Sequence, residues 1–129
     1  FIDVIQKFQA DIVIGSRFNY NKYTRSFNIL NKLGNYALTF FFNILYNTTF
    51  TDIYCCYLCF KKHLLDSKNL QTIGFEQHAE ILCKLVKKGK KSFEVSVNYN
   101  GRTKNEGKKI KFYHMLPVLL RILIERIKP

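Results

Sequence analysis

The stretch Phe93–Ile110, FEVSVNYNGRTKNEGKKI, decides how the chain is read. Phe93, Val95, Val97 and Tyr99 alternate with Glu94, Ser96 and Asn98, the period of two expected of a strand with one buried face, so a strand is predicted to run to about Tyr99. Asn100-Gly101 is a turn signal. Beyond it Arg102, Lys104, Lys108 and Lys109 gather around Gly107, with only Glu106 to offset them. Such a loop suits phosphate: Arg binds oxyanions through two parallel hydrogen bonds, Lys adds point charge, and Gly lets the backbone come close. A solvated basic hairpin is the plainer alternative.

Working outward, the charge is concentrated around this stretch. The 129 residues carry 21 Lys plus Arg against 9 Asp plus Glu, a formal net charge of +12. Lys84–Lys111 holds ten basic and two acidic residues, and so +8 of that excess. Localised charge of one sign points to an anionic partner: a phosphorylated substrate, an anionic membrane surface or nucleic acid. A composition that is 47% hydrophobic and 16% aromatic is that of a folding domain rather than a disordered tail. No apolar run approaches the roughly 18–20 residues that cross a bilayer. Cys55, Cys56, Cys59 and Cys83 lack the second short-spaced ligand pair of a structural zinc site, and His63 and His78 are poorly spaced to replace it. They read as reduced, mostly buried thiols of a cytoplasmic protein, with Cys55 and Cys56 on opposite faces of a strand.

Taken in order, Ile2, Ile5 and Phe8 suggest the end of a helix. Ala10–Ile14 is a buried strand that stops at Gly15-Ser16-Arg17, which puts an arginine at the carboxyl edge of a sheet, where open α/β sheets bind ligands. A polar and aromatic loop with Lys22 and Arg25 follows. The next helix is predicted to bury Ile29, Leu30, Leu33, Tyr36, Ala37, Phe40, Phe41, Ile44 and Leu45, to leave Leu38 and Phe42 off the stripe, and to stop at Asn47. Asp52 stands at the entrance of a strand expected over Ile53–Phe60, as a turn or cap residue or as a functional carboxylate. A helix over Phe75–Lys88 is expected to end at Gly89 in the left-handed conformation, with Glu76 and Glu80 complementing its dipole. Pro117 opens a last helix, predicted to turn Leu116, Leu119, Leu120, Leu123 and Ile127 inward and Arg121, Glu125, Arg126 and Lys128 outward. Basic and leucine-rich, it suits either a membrane interface or ordinary packing. Helices and strands alternate throughout, an α/β layer pattern.

Together ADIVIGSRF, Arg25, Leu33-Gly34-Asn35, TDIYCCYLCFKK, GFE with AEILCKLVKKG, and FEVSVNYNGRTKNEGKKI resemble the glycosyltransferase family 2 enzymes, above all their polyprenyl-phosphate (dolichyl or undecaprenyl) mannosyl- and glucosyltransferases. The likeness runs from about Ala10 to the last helix. Ser96 stands where such proteins usually carry Pro, Leu58 where a basic residue is common, and Gln77-His78-Ala79 lengthens the stretch between two Glu residues. The resemblance implies a partial GT-A fold, a mixed sheet flanked by helices that lacks the amino-terminal nucleotide-binding half. No Asp-x-Asp occurs in the chain. Residues 1–111 would then be the carboxyl-terminal portion of the GT-A domain and residues 112–129 a terminal amphipathic helix of interfacial character.

What the likeness implies is an inverting transfer of a hexose from a nucleotide-sugar to a polyprenyl phosphate, on the cytoplasmic face of a membrane, by a longer enzyme of which this chain alone is inactive. Arg17 and Arg25 would bind the acceptor phosphate, and Arg102, Lys108 and Lys109 the donor diphosphate. Asp52 matches the acidic position near the reacting sugar, orienting the sugar or an arginine rather than acting as a base, since a phosphate monoester with a second pKa of about 6 is already largely ionised at pH 7. Glu80 matches a further acidic position. A divalent cation, Mg or Mn, is expected in the whole enzyme, with its ligands outside this chain. Nucleic acid is not an expected partner under this reading; the alternatives are a non-catalytic basic nucleic-acid-binding module and a membrane-surface adaptor.

Overall fold

The computed structural model describes residues 1–19, 23–25, 28–102, 105–107 and 112–128. Four α-helices, α1 (Ile2–Phe8), α2 (Ile29–Tyr46), α3 (Gln77–Lys88) and α4 (Met115–Ile127), surround a mixed sheet of β1 (Ile12–Ser16), β2 (Leu58–Phe60) and β3 (Ser92–Ser96). The chain is thus α/β. The strand order is β2-β1-β3: Val13 pairs with Cys59 antiparallel and with Phe93 parallel. All five residues of central β1 are buried, in keeping with its unbroken Ile12-Val13-Ile14 run; the strand extends through Gly15 and Ser16 rather than covering Ala10–Ile14. Gly15 is required there by space, since a Cβ would lie 2.9 Å from Tyr57 Cβ and 3.0 Å from Val97 Cγ1.

The core gathers Ile14, Leu38, Phe42, Phe50, Ile53, Leu82, Val118 and Ile122 between sheet and helices, with a smaller cluster of Ile12, Leu64 and Leu85. Capping fixes the ends of α2. The Asn28 carboxamide accepts the Leu30 N–H at 2.9 Å, and Asn47 ends the helix in the left-handed region at φ 51°.

Several sequence expectations are corrected. The inner face of α2 is rotated from the expected stripe: Leu38, Thr39 and Phe42 are buried, with Phe41 and Leu45 packed against the core as expected, whereas Ile29, Leu30, Leu33, Tyr36, Ala37, Phe40 and Ile44 face outward, Phe40 being 68% exposed. The helix is apolar nearly all round, so periodicity cannot choose the inner side. Polar anchors do: Thr39 Oγ1 accepts the Ile53 N–H, and the Asn43 side chain bonds Thr48 and both backbone groups of Phe50. The inner face of α4 is rotated as well. Arg121 and Glu125 lie inside with Val118 and Ile122, while Leu116, Leu120 and Ile127 are outside; Leu119 packs against the core and Arg126 is exposed, both as expected. The cause is Glu80, a fully buried α3 carboxylate to which Arg121 Nη2 bonds at 2.7 Å.

The expected strand over Ile53–Phe60 contracts to three residues. Ile53–Tyr57 turns instead, with Cys56 at φ 66°, so Cys55 is buried and Cys56 exposed through a turn and not through strand alternation. β3 ends at Ser96 rather than Tyr99, although Tyr99 forms a parallel bridge with Thr24. Gly89 has φ −81°, not the left-handed conformation; it is small because a Cβ would sit 2.9 Å from Ile12 Cδ1.

Candidate functional site

The carboxyl ends of parallel β1 and β3 lie side by side, and the residues that follow each strand meet there. Arg17, immediately after β1, turns back onto Asp52. Its Nε donates to Asp52 Oδ2 at 2.6 Å and its Nη2 to Oδ1 at 2.7 Å, while its backbone N–H donates to Oδ2 at 3.0 Å. This is the fork-to-carboxylate geometry that an arginine makes best. Asp52 is wholly buried and Arg17 8% exposed, so the pair is largely shielded from water. Burial by itself works against the charged guanidinium; Asp52 more than reverses it, and Arg17 holds its proton more tightly than a free arginine. The Tyr99 ring lies against the same group, 5.2 Å from Arg17 Cζ, and Asn35 Oδ1 accepts from Nη2 at 3.4 Å.

A second carboxylate holds the Asp52 turn from behind. Glu94, in the middle of β3, accepts the backbone N–H groups of Thr51 at 2.8 Å and Asp52 at 3.0 Å on Oε1, and the Thr51 hydroxyl at 3.0 Å on Oε2. The Thr51 hydroxyl also pairs with Ser16 Oγ at 2.6 Å, and Ser16 Oγ accepts the Phe18 N–H at 3.1 Å. With Thr51 donating to Glu94, the Ser16 hydroxyl must donate to Thr51, so one directed chain runs from the β1 edge to β3. Burial pushes the Glu94 carboxyl up, and the Thr51 and Asp52 hydrogen bonds oppose but do not cancel that push.

Arg25 arrives by a different route. Tyr99 donates its N–H to Tyr23 O and accepts the Arg25 N–H at 3.0 Å, so residues 23–25 run alongside the segment that leads to Arg102. Arg25 Nη1 then donates to Gly101 O at 3.0 Å and to Glu106 Oε2 at 2.9 Å. Arg102 itself is exposed. Arg17, Arg25, Asp52 and the segment carrying Arg102 therefore share one sheet edge, while Lys108 and Lys109 lie outside the described residues. Glu80 belongs elsewhere: its carboxylate takes the Gln71 and Thr72 N–H groups, the Thr72 hydroxyl, Lys84 and Arg121. Burial raises that carboxyl, and the hydrogen bonds from Lys84, Thr72 and Gln71 outweigh it, bringing it to about 2.

Spacing alone does not single out Glu94, Thr51, Ser16 or Tyr99 as members of this site, although all four fall within the stretches that carry the family likeness. Alternation assigns Glu94 to the solvent side of its strand, and its partners lie more than forty positions away. The available signal is that Glu94 is the one charged residue within β3. His78 is structural, with Nε2 3.0 Å from Ile53 O, and burial lowers its affinity for a proton. Among the described residues no three His, Cys, Asp or Glu side chains come together to hold a metal ion, and no helix is long and apolar enough to cross a membrane. No protein-family model matches the chain, and no curated protein matches it in sequence.

Proposed function

We propose that this chain is the acceptor-binding, carboxyl-terminal portion of an inverting family 2 glycosyltransferase of GT-A fold, which moves a hexose from a nucleotide-sugar to a polyprenyl phosphate at the cytoplasmic face of a membrane. The observation that carries the reading is the meeting of Arg17, Arg25, Asp52 and the Arg102 segment at the carboxyl edge of a parallel strand pair. The motif likeness assigns the chemistry, and the clustering of these side chains supports it.

In such a transfer an acceptor phosphate oxygen attacks the anomeric carbon from the face opposite the departing nucleoside diphosphate, forming one C–O bond as the other breaks. Negative charge accumulates on the leaving diphosphate, so fixed cations and close spacing supply most of the catalysis. Asp52 orients Arg17 through its paired hydrogen bonds, and the wholly buried carboxylate is badly placed to take a proton from a ligand. Arg25, half-exposed and paired with Glu106, exchanges that carboxylate for the acceptor phosphate; Arg102, Lys108 and Lys109 serve the diphosphate. A divalent cation would neutralise the donor diphosphate. The described residues do not form a site for it, and the roles of Arg17, Arg25 and Asp52 rest on the chain's own side chains.

The outward apolar faces of α2 and α4, with Arg126 and Lys128 beside the latter, support attachment to a membrane surface. The decisive assay follows labelled hexose from a nucleotide-sugar to polyprenyl phosphate with the longer enzyme. Arg25→Ala and Arg102→Ala should each lower kcat/KM by about 10²-fold or more, the scale for removing one fixed charge-stabilising donor. Near-normal turnover in Arg102→Ala would falsify the phosphate role, and an upstream sequence without an Asp-x-Asp would count against catalysis.

A further inference from the structure

The Arg17–Asp52 pair stands on a carboxylate that no ligand need touch. Asp52 precedes the turn at Ile53–Cys55 and lies in no strand. Thr39 and His78 hold the next residue, Ile53, yet they do not bond the N–H of Asp52, whose carboxylate oxygens both meet Arg17 within 2.7 Å. Something must fix the peptide from which that carboxylate hangs. Glu94 is the group placed to do so. It bonds the N–H groups of both Thr51 and Asp52 from β3, which is itself paired in register with β1, Ile14 opposite Glu94. Its second oxygen closes the hydroxyl chain to Ser16, one residue before Arg17. The carboxylate thereby ties the Asp52 backbone to the strand end that carries the arginine.

From this arrangement we infer that Glu94 is a positioning residue: it sets the direction of Asp52, and through Asp52 the Arg17 guanidinium to which the reading above assigns the acceptor phosphate. The role in turnover rests on the transfer reaction proposed above; the coupling of Glu94 to Arg17 does not. A neutral glutamine keeps the shape and one acceptor oxygen. It replaces the other by an NH₂ group aimed at the Thr51 hydroxyl, which reverses the donor order of the chain back to Ser16.

Two measurements test this. In the 129-residue chain, the Arg17 Nε–H signal in ¹H–¹⁵N spectra should be protected from exchange by Asp52, and Glu94→Gln should shift it and speed its exchange. An unchanged signal and exchange rate in that variant overturns the coupling. In the longer enzyme, Glu94→Gln should lower kcat by about tenfold or more, the scale for one lost charge-assisted hydrogen bond. Added to Asp52→Asn it should cost little further, because both act through one guanidinium. Losses that simply multiply, or a kcat unchanged by Glu94→Gln, overturn the role in the reaction. If Glu94→Gln does not fold, Thr51→Val, which removes only the hydroxyl link, takes its place with the same outcomes at a smaller amplitude. If the wild-type enzyme transfers no hexose, the transfer reading fails while the Nε–H measurement still decides whether Glu94 holds Arg17.

Discussion

Replacing Asp52 by Asn would leave the Arg17 guanidinium buried with its countercharge gone. In the folded chain the carboxylate accepts two side-chain hydrogen bonds from Arg17, at 2.6 and 2.7 Å, and one from its backbone N–H. The asparagine can keep one acceptor oxygen, but its NH₂ group then opposes an N–H donor. Breaking a buried pair by removing one partner costs about 3–5 kcal/mol. A comparable figure follows from one lost charge-assisted hydrogen bond, about 1.5–3 kcal/mol, together with about 1–3 kcal/mol for the buried donor it leaves unpaired. With about 2.1 cal/mol/K of unfolding entropy per residue, 129 residues give about 270 cal/mol/K, so each kcal/mol moves the midpoint by about 4 °C. Thermal unfolding followed by circular dichroism should therefore show Asp52→Asn melting about 11–18 °C below the parent chain. The double variant Arg17→Met with Asp52→Leu removes both charges and should regain most of the loss, since apolar replacement of a buried pair is often neutral. A shift under about 4 °C for Asp52→Asn, or a double variant worse than the single one, would refute the assignment of this pair as buried and mutually dependent.

Other outcomes follow from the same structure. The Glu80 carboxyl, at about 2 when folded against 4.5 when free, contributes stability that is fully present above pH 4.5 and lost as pH falls through about 2; urea titrations at stepped pH should show that loss, and Glu80→Gln should lower stability at neutral pH while flattening the acid limb. Gly15→Ala must push Tyr57 or Val97 aside and should destabilise by about 1–3 kcal/mol, read from the urea midpoint. Burial pushes the Cys55 and Cys83 thiols up to about 12, so native protein at pH 8 should leave both unalkylated by iodoacetamide while denatured protein reacts at every cysteine, as peptide mass spectrometry would report.

What can be read from the sequence divides along the range of the forces involved. The existence of α2, α3 and α4 is legible because each carries apolar residues at helical spacing, and the Asn47 stop because its capping chemistry is local. Which side of α2 and α4 faces inward is not. That choice depends on Asn43 reaching Phe50, and on Arg121 reaching a carboxylate forty-one positions earlier on another helix. Arg17 and Asp52 each stand out at a strand boundary, but their pairing across 35 positions leaves no trace in spacing. Glu94 is the hardest to see: alternation assigns it to solvent, and only the turn at Thr51–Asp52 folding over β3 makes it an inner residue.

Residues 23–25 are fastened to the end of the sheet by main-chain groups, with Tyr99 as the hinge pin. Position 25 is consequently addressed by peptide geometry, whatever side chain happens to occupy it. Lysine, glutamine or leucine there would hang from the same Cα, so a substitution series at this one position varies reach and head group while the main-chain mounting stays constant.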